Sequence, residues 1–152
     1  MIKSHWAALC SLLLLSAAPF AQAADPAGMV KVARGQDSIE RDGKKLPAEV
    51  GSQVDVADRV RTGADGSVGV TLRDNTLLSA GPNSLIVFDK FAFDNTTQDG
   101  NMSIRIRKGT LSVASGKIAK RTPESVDFHT PTSVLGVRGT EFAVEVVGGN
   151  DE

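Results

Sequence analysis

Beyond residue 23 the chain carries one histidine, His129, and no cysteine. That composition rules out a Cys–His nucleophile pair and any metal site built on two imidazoles. No G-x-S-x-G stands in for them, since Gly66-Ser67-Val68-Gly69 has the wrong spacing for a nucleophile elbow. His129 follows Phe128 on an expected strand, where alternation turns it outward. The carboxylates Asp89, Asp94 and Asp99 recur near a glycine and invite comparison with a calcium loop. A loop starting at Asp94 would need Asp or Asn where Thr96 and Gln98 stand, and its glycine arrives one residue late. A solvated loop is the plainer reading. Neither a catalytic set nor a cofactor or metal site emerges, and a non-enzyme is expected.

Charge gives a second kind of candidate. Arg105, Arg107, Lys108, Lys117, Lys120 and Arg121 fall between residues 101 and 121 with no acid among them, whereas the residues after Arg121 carry six acids and only Arg138 as a base. Such a basic patch could dock on an anionic cell-envelope polymer or an acidic partner. The simpler alternative is a solvated strand face, because Arg105 and Arg107 alternate with Ile104 and Ile106. Arg138 stands apart, between Val137 and Gly139. A backbone kink there would turn its guanidinium inward as a structural clasp on Asp74, Asp58 or Glu141, or outward as a ligand anchor.

These residues must be held by short strands. No window past residue 23 carries a 3.6-residue apolar period, while alternating runs are frequent. Strands are expected near 29–33, 38–41, 44–46, 67–72, 76–80, 84–88, 103–107, 110–113, 125–128 and 140–147. Asp42-Gly43 should close a type I′ hairpin, and Asp65-Gly66, Asp74-Asn75 and Gly81-Pro82-Asn83 should be turns. Val68, Val70, Leu72, Leu85, Val87, Ile104, Ile106, Leu111, Val113, Phe142 and Val144 are the expected core. The fold class is therefore all-β, with many short strands in a twisted sandwich or a roll with solenoid-like coils.

Three stretches carry a family resemblance. The last is Thr130-Pro131-Thr132-Ser133-Val134-Leu135-Gly136-Val137-Arg138-Gly139-Thr140-Glu141-Phe142, which resembles the TPTA-x-x-G-x-RGT-x-F signature of the FecR-domain family. Val60-Arg61-Thr62-Gly63 with Arg73 to Ser84, including Gly81, Pro82 and Asn83, forms the second. Gly109-Thr110-Leu111-Ser112-Val113-Ala114-Ser115-Gly116 is the third. The resemblance implies structural roles for Pro131, Gly136, Arg138, Gly139, Thr140, Gly81, Pro82 and Asn83. It also implies a stand-alone secreted or periplasmic domain rather than a full anti-sigma regulator. Its function would be that of a non-enzymatic interaction module at the bacterial envelope. The alternative is a sensor acting in trans in a sigma/anti-sigma metal-uptake system.

The start of the chain reads as a secretory signal. Lys3 and His5 precede an apolar stretch over 6–18 that is too short to span a bilayer, and Ala21-Gln22-Ala23 supplies the small residues of a cleavage site. Three segments follow: a signal peptide at 1–23, the β domain at 24–147 and a flexible tail at 148–152. Cleavage would leave 129 of 152 residues, with a net charge of −2 instead of −1 because Lys3 is lost. Cys10 and Trp6 would leave as well, and the chain has no tyrosine. Disulfides and the Trp or Tyr platforms of base-stacking sites are thereby excluded, so an envelope protein or polymer is a better partner than nucleic acid. No membrane span is expected after cleavage, and the place is the periplasm or the medium. Mass spectrometry of the exported protein should find an N-terminus at Ala24; a retained Met1 would refute the cleavage.

Overall fold

The computed structural model describes residues 24–139 and 141–149. The expected signal peptide, Thr140 of the signature and residues 150–152 lie outside the described residues. Among the described residues twelve strands form: β1 (Gly28–Arg34), β2 (Ser38–Arg41), β3 (Lys44–Pro47), β4 (Gln53–Val54), β5 (Arg59–Arg61) and β6 (Ser67–Leu72). They continue as β7 (Leu77–Ala80), β8 (Leu85–Phe93), β9 (Gly100–Ala114), β10 (Val126–His129), β11 (Val134–Gly136) and β12 (Glu141–Val146). Helix is confined to α1 (Lys117–Arg121) and a 3-10 turn at Pro123–Ser125. The domain is all-β, as the alternating pattern requires, and no described helix is long and apolar enough to cross a membrane.

All twelve strands belong to one curled sheet, with a main path β3-β2-β5-β8-β9-β7-β6-β1-β4. Every pairing is antiparallel except that of β10 with β9. The fifteen-residue β9 makes the curl. Its first part pairs β8 on one edge and β10 on the other, and its second part pairs β7 and β12. Phe128 sits beside Ile104 and Phe142 beside Val113, positions roughly 30 Å apart on a straight strand. Yet the two rings meet edge to face with centroids 5.0 Å apart. The sheet therefore folds over, and its two halves face each other across one core. Val68, Val70, Leu72, Ile104, Ile106, Leu111 and Val113 all lie in that core, joined by Phe88, Phe128 and Ile118.

Two β-bulges reassign faces that simple alternation misplaces. Plain alternation along β1 puts Val30 and Val32 on one side. A shift in the β1–β6 register between them buries Val30 and leaves Val32 45 % exposed. A second shift, between Leu85 and Ile86 against β9, buries Ile86 and Phe88 and leaves Val87 only half-buried. Phe142 and Val144 do face inward but stay half-buried. The two strands expected at 103–107 and 110–113 are one strand, β9, and β8 runs on to Phe93. At the start of the tail expected to be loose, Gly148 is exposed, while a Cβ at Gly149 would strike Arg107 and Lys108.

The turns follow their chemistry. Asp42 and Gly43 take φ of 50° and 74°, the type I′ hairpin that joins β2 to β3. Gln98 (φ 61°) and Ala57 depart from this; Ala57 is an exposed alanine at φ 74° whose N–H donates to the Phe88 carbonyl at 2.7 Å. A methyl group in the left-handed region crowds its own carbonyl, which glycine avoids. Replacing Ala57 with Gly should raise stability by about 1 kcal/mol, offset in part by glycine's greater freedom when unfolded. Thermal denaturation would register this as a melting point a few degrees higher.

Candidate functional site

The signature stretches separate into two places. Thr62, Gly63, Gly81, Pro82, Asn83, Ser84, Gly109 and Thr110 converge on one corner, where the edge of β9 passes from β8 to β7. Thr62 donates its hydroxyl to the Gly81 carbonyl at 2.6 Å and accepts the Ser84 N–H at 2.8 Å. Ser84 donates to the Thr110 carbonyl at 3.2 Å and accepts the Thr110 N–H at 3.0 Å. The Thr62 N–H reaches the Ser84 carbonyl, and the Asn83 N–H the Gly63 carbonyl, both at 3.0 Å. Thr62 and Ser84 are fully enclosed. Gly109 takes φ 85° against Ser84, a place where any side chain would collide.

Two further buried groups anchor turns. Asp74 accepts from the Thr76 N–H (3.1 Å) and hydroxyl (2.8 Å) and from the Ile118 N–H (3.3 Å), tying the β6–β7 turn to α1. Asp58 takes both Nε (2.8 Å) and Nη2 (2.6 Å) of Arg41, and the Asp55 N–H at 2.7 Å. Asp55 holds the remaining Nη1 of Arg41 at 2.8 Å. The hydrogen bond to Asp58 lifts the Arg41 pKa above its ordinary value, with partial burial opposing. A forked arginine clasp thus exists, but Arg41 makes it.

Arg138 does not. It is exposed, as are Pro131, Gly136 and Gly139, and it makes no hydrogen bond or ion pair among the described residues. Val137, its neighbour, takes the inward position. An added Cβ at Gly136 or Gly139 would meet open space, and the backbone there does not turn Arg138 inward. The stretch 131–139 is a largely exposed ribbon beside β12. With the end of β12 it lines a groove of about 400 Å³ that includes Pro131, Ser133, Leu135, Val144, Val146 and Val147.

The six cations divide as well. Arg105, Arg107 and Lys108 lie midway along β9, while Lys117, Lys120 and Arg121 ride on α1 near its start. Gly100 touches Ile118 there, roughly 23 Å along the strand from Arg107. Arg105 pairs with Asp89 at 2.9 Å and Arg121 with Asp99 at 2.7 Å. The third carboxylate, Asp94, accepts the N–H groups of Thr97 and Thr96, which hold its pKa below the usual range. Asp89, Asp94 and Asp99 therefore serve three separate local contacts, and no cluster of metal-ligating side chains occurs among the described residues. His129 is half-buried on the face opposite Phe128.

Chemically, the molecule offers a polar corner already satisfied within itself and an open, partly apolar groove between β11 and β12. Sequence reasoning missed Arg41, Asp58 as its partner, and the hydroxyls of Thr62 and Ser84. The last two lay inside quoted signature stretches, and their position beside tight turns, Thr62 before one and Ser84 after one, was the available signal. Replacing Thr62 with Val would strand the buried Ser84 N–H and the Gly81 carbonyl. It should cost about 3 kcal/mol in urea unfolding, whereas Ser at the same position should cost about 1 kcal/mol or less. Equal losses would assign the effect to packing.

No curated protein and no solved structure matches the chain. A family model, described as FecR protein, matches residues 58–151, from the buried Asp58 through the corner and β12. The matched region covers more than half of the sequence, and the chain belongs to the FecR family.

Proposed function

We propose that this protein is a non-enzymatic binding module of the cell envelope, exported by its N-terminal segment and acting in the periplasm or medium. FecR-family membership supports a signalling-related envelope role. The observation that carries the binding role is the contrast between the two signature regions. The corner is consumed by internal hydrogen bonds, while residues 131–139 and β12 leave polar and apolar groups facing outward. The carboxylates of Asp58, Asp74, Asp89 and Asp99 hold partners of the chain's own. The partner is an envelope protein or an anionic envelope polymer, the latter through two separate groups, Arg105, Arg107 and Lys108 on β9 and Lys117, Lys120 and Arg121 on α1, in which Arg105 and Arg121 also pair with Asp89 and Asp99. Family membership also supports a second reading, a sensor that acts in trans on a membrane regulator of metal uptake.

Affinity recovery of the tagged protein from envelope extract should yield a reproducible protein or polymer at near-stoichiometric amounts. Failure to enrich any component over an unrelated β domain would count against the module. A changed expression of metal-uptake genes on deletion would select the sensor.

A further inference from the structure

The strands that extend the sheet beyond β9 on its β10/β12 edge are unequal in its two halves. On that edge, the described residues place two strands in one half of the folded sheet, β10 and then β11, and β12 alone in the other. Phe128 of β10 touches Phe142 of β12, so those two strands face each other across the core. The described residues place no strand opposite β11. The inward side chains beside that gap, Leu135, Phe142, Val144 and Val146, are each only half-buried, although Phe142 and Val146 point at the core. Val147, just beyond, is 87 % exposed. The outer edge of β12 is unpaired among the described residues, and its six-residue length contrasts with the two residues of β4 and the Lys-rich, Pro-ended β3 at the other sheet ends.

We propose that this edge receives an extended strand of another envelope protein, one in which basic and apolar residues alternate. The proposal rests on the module reading above and names its binding site. Hydrogen bonds to the β12 backbone would supply affinity, and the alternation follows from register. Residues opposite Phe142, Val144 and Val146 point inward and would cover the half-buried core, so they must be apolar. Residues opposite Glu141 and Glu145 point outward. Both glutamates are exposed and make no ion pair among the described residues, so cations complement them. The same two acids disfavour a second copy of the chain. Antiparallel pairing of two β12 strands about Ala143 sets Glu141 against Glu145 twice, like charge against like.

The test uses the exported protein, isotope-labelled, with a short capped peptide of alternating lysine and valine and its glutamate–valine counterpart. The lysine–valine peptide should bind and slow amide exchange along Glu141–Val146. The double variant Glu141→Lys/Glu145→Lys should lose about tenfold or more in affinity for it and accept the glutamate–valine peptide instead. Absence of β12 protection, equal affinity of the double variant, or dimerisation of the wild type through β12 would each overturn the proposal. Recovery from envelope extract with wild type and double variant separates this site from the broader reading. A partner held equally by both overturns the strand site and leaves the module standing. A partner lost only by the double variant supports both.

Discussion

Gly109 and Ser84 occupy one corner, and the rest of the sheet is organised around their contact. At φ 85° Gly109 turns β9 where the edge it offers changes from β8 to β7, and the Ser84 hydroxyl fills the space a side chain at Gly109 would take. The hydroxyl bonds both backbone groups of Thr110, so the bend is fixed by the same atom that requires it. Thr62 repeats the device one strand away by holding both Gly81 and Ser84. Buried hydroxyls paired to backbone in this way are costly to leave unsatisfied, which makes the corner geometrically exact rather than merely compact. Each half of β9 then recruits its own flanking strands, and one core forms between them.

The family match begins at Asp58, yet the sheet does not. Strands β1 to β4 precede it and supply both ends of the path, β3 and β2 beyond β5 at one side and β1 and β4 beyond β6 at the other. Arg41 in this leading segment holds Asp58 at the first matched residue, through a fork that an ammonium would not reproduce. The N-terminal strands therefore complete the domain, shielding edges that the matched portion alone would expose, and they end in short or lysine-bearing strands suited to that task.

Much of this was legible in the residues. Alternation located β6 and its buried Val68, Val70 and Leu72, and turn chemistry located the Asp42-Gly43 hairpin and the breaks at Asn75 and Asn83, because both signals are local. The errors fall where a local pattern meets a distant partner. The bulges at Val30/Val32 and Leu85/Ile86 depend on the strand opposite, so the faces of Val32, Val87 and Phe88 could not be read from their own neighbours. Arg41 finds Asp58 across seventeen residues, a pairing without a spacing signature. A backbone kink beside Gly139 was to turn Arg138 inward, but the ribbon around it is exposed and the inward position fell to Val137. The site followed the same division: its residues were named, but their sorting into a closed corner and an open edge is a property of the fold-over.

Placing β3 and β4 at opposite ends of the strand order, with only residues 48–52 between them, has a kinetic consequence. A chain synthesised from its N-terminus presents β1 and β2 long before β6 and β5, and the central β9 appears only after residue 100. The leading hairpin can close at once, but the rest of the segment waits with unpaired edges until most of the chain is available. Folding is thus governed by non-local closure, which is slow compared with local helix formation. A polypeptide of this design spends its longest vulnerable interval as a set of open strands, when unpaired edges are exposed to aggregation.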